Sequence, residues 1–94
     1  NPNKNGEVEA PIILTERIET KLKRIMEEDR PGLALHVHSF VASHLTKGLN
    51  SYQMKWFLKY KKWIKVVPRD AFPYLKYEFV DKNDKIIRPI HRNP

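Results

Sequence analysis

Apolar residues recur at three- and four-residue spacing from Ile18 through Leu22 and Ile25 to Met26, forming one stripe. That spacing predicts an amphipathic helix running to about Glu28 and stopped by Pro31-Gly32. Its start is expected between Pro11 and Thr15, with Thr15 as N-cap. Glu16 and Glu19 then sit early in the helix, where its dipole favours negative charge. Glu19 and Lys23 form an i,i+4 pair on the solvated side.

Residues 33–46 carry two overlapping patterns. Leu33, Leu35 and Val37 alternate as in a strand, whereas Leu33, Val37, Val41 and Leu45 hold a helical period for longer. Length and the Ala/Ser content favour a second helix, closed by Gly48. A third helix begins at Tyr52, capped by Asn50 or Ser51, and reaches at least Tyr60 or Lys62. Residues 63–67 are β-branched enough to turn extended before Pro68, and residues 68–73 form a loop.

Residues 74–80 and 85–90 alternate on either side of the turn residues 81–84, which predicts a hairpin. A two-residue turn at Asn83-Asp84 would pair Val80 with Ile87 and Tyr77 with Ile90. Leu75, Tyr77, Phe79 and Ile90 would then share the buried face, with Lys76 and Glu78 in water. Pro89 would lie on an edge or at a strand end.

The expected fold class is α+β, with three N-terminal helices followed by a C-terminal β-hairpin. That order resembles a winged helix-turn-helix in topology alone, because no sequence motif stands behind it. Residues 1–10 read as a flexible lead, 11–91 as a single small domain and 92–94 as a frayed end. The first residue is Asn1 rather than Met, which suggests a processed product or a piece of something longer.

Charge changes the picture most. Between Asp29 and Asp70 there is no acidic residue, and the 40 positions 30–69 carry Arg30, Lys47, Lys55, Lys59, Lys61, Lys62, Lys65 and Arg69. Residues 1–29 carry −2, residues 30–69 carry +8 and residues 70–94 carry +1, giving the net +7. Charge sorted in this way marks a surface that meets an anion, most often nucleic acid.

Were residues 52–67 helical throughout, Tyr52, Trp56, Tyr60 and Trp63 would fall on one arc with Phe57, Ile64 and Val67. Lys55, Lys59, Lys61, Lys62 and Lys65 would fall opposite, with Met54 and Leu58 among them. The aromatics would hold the helix to the core and the lysines would face phosphates. Lysine makes point-charge contacts, so little sequence preference is expected. The expected nucleic-acid-binding residues are Lys47, Lys55, Lys59, Lys61, Lys62, Lys65 and Arg69, with DNA and RNA both open.

A rival reading makes the domain a protein-interaction or assembly module whose basic strip docks an acidic partner. Base stacking on an exposed tryptophan is another, although Trp56 and Trp63 cannot each be both core and platform. Adsorption to an anionic membrane surface ranks below these, since the aromatic face is needed for the core. A hairpin tip with Lys82 and Lys85 offers a weak second contact, neutralised by Asp81 and Asp84.

Other chemistry is sparse. The chain has no cysteine, hence no disulfide or thiolate site, and no apolar run near the length of a membrane span. His36 and His38 would share a face only on a strand, where a metal would still need a third ligand such as His91. Glu27-Glu28-Asp29 opposes the helix dipole, and Arg69 with Asp70 reads as a local pair. No nucleophile elbow or glycine-rich phosphate loop is present among three glycines. No enzyme activity, catalytic residue, metal or cofactor is expected. An intracellular location, nuclear or cytoplasmic, fits that reading.

Overall fold

The computed structural model describes residues 2–28 and 32–87, with side chains described from Ile12 onward. The elements are α1 (Pro2–Met26), β1 (Ala34–Val37), α2 (Ser39–Thr46), α3 (Tyr52–Tyr60), β2 (Lys65–Pro68) and β3 (Tyr77–Val80). The class is α+β, with three helices and a three-stranded mixed sheet of order β2-β1-β3. The element order departs from three helices and then a hairpin, because β1 stands between α1 and α2. It also separates β2 from β3, pairing parallel with the first and antiparallel with the second.

Helix α1 starts at Pro2, well ahead of the start expected between Pro11 and Thr15. Thr15 is accordingly a buried residue within the helix rather than its N-cap. Gly6 and Pro11 concealed this extension, since both are poor helix-interior residues and proline cannot donate to the preceding turn. Within the predicted stripe the pattern is sound. Ile18, Leu22 and Ile25 are buried, Leu14 extends the stripe, and Met26 packs against it.

Over residues 33–46 each pattern governs one half. Leu35 and Val37 enter the core as alternate residues of a strand, and Val41, Ala42 and Leu45 enter it from a helix. The single continuous helix fails because β1 is the central strand, with hydrogen-bonded neighbours on both sides. His38 makes the join. Its Nδ1 accepts the Phe40 backbone N–H at 3.1 Å, capping α2 at the point where the strand ends. Gly48, at φ 82°, follows the last α2 cap in the left-handed conformation expected of it.

Register puts Leu35, Val66 and Phe79 side by side on the core face of the sheet, with Val37 and Tyr77 next along. The three helices cover that face, and all of these belong to or pack on one apolar cluster. The outer edge of β2 is capped at its two ends. Lys65 and Arg69 donate toward β1, so Ile64, Val66 and Pro68 face away from it. Gln53 Nε2 donates to the Ile64 carbonyl at 2.8 Å, and Pro68 has no N–H to leave open.

After β3 the chain turns back, and Val80 bridges to Ile86 rather than to Ile87. Asp81 Oδ1 accepts the N–H of Asn83 at 2.8 Å and of Lys85 at 3.0 Å, while Asp84 adopts φ 62°. The loop therefore has three residues ending in a left-handed one, and the extra residue shifts the register by one. Ile87 is then buried, its N–H bonded to the Phe79 carbonyl at 2.7 Å. Leu75 precedes β3 and is exposed, contrary to its expected place on the buried face. Lys76 and Glu78 lie 3.7 Å apart as an ion pair. The expected Tyr77–Ile90 pair, Pro89, and the 92–94 end lie outside the described residues. Gly32 fastens this turn to β1: at φ 67°, a Cβ there would sit 2.6 Å from Lys82 Cβ.

Candidate nucleic-acid interface

Helix α3 is held at both ends by local chemistry. The Ser51 hydroxyl accepts the Met54 N–H at 3.0 Å, and Lys61 takes φ 61°, ψ 24° with its N–H on the Phe57 carbonyl at 2.7 Å. That left-handed cap ends the helix before Trp63 can continue its aromatic arc.

On the inner side of α3, Trp56 is 3% exposed, and partly buried Tyr52 and Tyr60 flank it. Trp56 Nε1 donates to Glu19 Oε2 at 3.0 Å, which ties α3 to α1. Glu19 is thus turned toward α3 instead of standing on a solvated face with Lys23. The outer side is apolar as well. Met54, Phe57 and Leu58, spaced i, i+3, i+4, are exposed, and Trp63 is 52% exposed with its ring 5.7 Å from that of Phe57 at 70°. Trp63 therefore does not anchor the helix; Ile64, fully buried, enters the core in its place.

The seven expected phosphate-binding residues divide into groups. Lys55 and Lys59 line a groove of about 490 Å³ with Glu16, Glu19, Thr20, Lys23, Trp56 and Tyr60. Their ammonium groups lie over the rings of Tyr52 (5.1 Å) and Tyr60 (5.4 Å). The two glutamates across that groove reduce its positive field. Lys61, Lys62 and Lys65 follow one another along the link from α3 into β2, with Lys61 and Lys65 exposed. Lys47 is the exposed C-cap of α2. Arg69 lies beyond the far end of β2, where Nη1 is 3.1 Å from His36 Nδ1 and the guanidinium stacks at 5.4 Å on Phe72. Its partner is therefore His36 rather than Asp70. Lys76 covers the same Phe72 ring at 4.6 Å.

One surface group was not legible in the sequence. His38, Phe40 and Tyr74 form a cluster with ring centroids 5.2, 5.7 and 6.4 Å apart, and both Phe40 and Tyr74 are exposed.

Among the described residues no three His, Asp or Glu side chains converge as a metal ligand set. Likewise, none of the described helices is long and apolar enough to cross a membrane. Comparison with known protein families, curated proteins and solved structures yields no match.

Proposed function

We propose that this domain binds nucleic acid, contacting phosphates through Lys61, Lys62 and Lys65 with little sequence preference. Lys55 and Lys59 extend the surface on one side, and Lys47 and Arg69 lie farther out along the same acid-free stretch. One observation carries the reading: over residues 30–69 the chain supplies eight fixed cations and no carboxylate, and Lys47, Lys55, Lys59, Lys61, Lys65 and Arg69 are exposed. Clustered exposed ammonium groups repel one another, and a polyanion relieves that repulsion while releasing its own counterions. A winged-helix-like docking, with α3 inside a major groove, suits this surface poorly, because Met54, Phe57 and Leu58 line the outer side of the helix.

Docking of an acidic protein is the second reading, favoured by that same strip. Apolar and aromatic anchors rimmed by lysines have the anatomy of a small protein interface. Fluorescence anisotropy of labelled duplex DNA, single-stranded DNA and an RNA hairpin, at about 50 and 200 mM salt, separates the two. Under the nucleic-acid reading affinity falls log-linearly with salt, by roughly 20-fold for about three contacts on a single strand. Lys61→Glu with Lys65→Glu then weakens binding and flattens the slope. An absence of binding at low salt, or affinity untouched by the double reversal, overturns it.

A further inference from the structure

We infer that Trp63, backed by Phe57, is a stacking platform for unpaired bases, so that the ligand is single-stranded nucleic acid. This rests on the nucleic-acid reading and narrows it. In sequence the two tryptophans are equivalent candidates, and the structure separates them. Trp56 is spent on the core and on Glu19. Trp63 lies just past the left-handed Lys61 cap, which turns it off the arc that Trp56 and Tyr60 occupy. Trp63 as a whole is 52% exposed. An edge-to-face pair leaves at least one ring with an uncovered face, and the 70° angle at 5.7 Å between Phe57 and Trp63 is such a pair.

Charge decides what meets that face. Lys61 and Lys62 precede Trp63 and Lys65 follows it, while no carboxylate occurs on α3, on β2 or on the link between them. An aromatic face set among cations offers a π surface to a base and ammonium groups to the phosphates on either side of it. Duplexes keep their bases stacked on each other, so only an unpaired strand makes use of the indole.

The test uses the full chain, its Trp63→Ala and Trp63→Phe variants, and three probes: oligouridine, an RNA duplex of the same length, and inorganic polyphosphate. Polyphosphate supplies the charge without the bases. Oligouridine should quench and shift the exposed component of tryptophan emission and bind more tightly than the duplex. Trp63→Ala should lose affinity for oligouridine on the order of tenfold, and Trp63→Phe much less. Polyphosphate affinity should be the same for all three proteins. Trp63 lies outside the core, so the variants should remain folded at the assay temperature, which keeps the comparison one of binding.

Equal loss of oligouridine and polyphosphate on Trp63→Ala would overturn the stacking role, as would unchanged oligouridine affinity or a preference for duplex. In each of those cases the nucleic-acid reading itself survives. Binding of none of the RNA probes by the parent chain at low salt would remove that reading and the platform with it. An acidic amphipathic peptide that binds saturably and quenches Trp63 would then assign this face to protein docking.

Discussion

The two sides of α3 are built from the same residue types and do opposite things. Tyr52, Trp56 and Tyr60 face inward, where Trp56 is closed off and hydrogen-bonded to Glu19. Met54, Phe57 and Leu58 face outward with Trp63, and Leu58 is 59% exposed. A helix this apolar on both sides is ordinarily buried on both. The lesson is that aromatic content alone does not mark the core. The left-handed cap at Lys61 decides which tryptophan packs and which stays exposed.

Substitutions can break or sharpen that contrast, and the largest effect belongs to the inner side. Trp56→Ala should cost about 3–5 kcal/mol of folding stability, because it opens a core cavity. Trp63→Ala should cost less than about 1 kcal/mol, as expected for a half-exposed side chain. Chemical denaturation of the two variants side by side measures the difference; equal losses would erase the distinction between the sides. Glu19→Ala comes next, at roughly 1–2 kcal/mol, because it leaves the Trp56 indole N–H buried and unbonded. Glu19→Gln keeps an acceptor and should retain most of that.

Ser51→Ala removes the cap of α3 and should cost on the order of 1 kcal/mol, read as a lower melting temperature. Gln53→Ala should fall near or below that value, because the Ile64 carbonyl it exposes lies at a sheet edge that water can reach. The smallest effect is on the outer side. Leu58→Gln should alter stability by no more than about 0.5 kcal/mol. A drop of several kcal/mol there would mean that the outer strip is packed against something in the isolated chain.

Much of this was legible where one residue pattern met one environment. The stripe through Ile18, Leu22 and Ile25 faces a single core, and the Ser51 cap and the Gly48 stop are local chemistry. The failures share a cause, which is that long-range partners decided between two local options. Strand β1 is four residues long, too short for its alternation to outweigh a helical period, and only pairing with β2 and β3 settles it. The hairpin register moved by one because the Asp81 carboxylate organises a three-residue loop. On the candidate surface, the lysines were readable as a charge run. Their division between the glutamate-lined groove and the 61–65 link required the position of α1. A helical period carried past residue 60 puts Trp63 on the packed arc, and the cap that breaks it is supplied by lysine rather than by glycine.

The central claim is that the 61–65 lysines hold phosphates. Its most direct test is the slope of log K against log salt for oligouridine, measured for the parent and for Lys61→Glu with Lys65→Glu. The expected parent slope is about −2, the value for roughly three contacts on a single strand, and the double reversal should bring it to about −0.7 or flatter, the value for the one contact left. Identical slopes in the two proteins would contradict the account, placing the phosphate contacts elsewhere on the molecule.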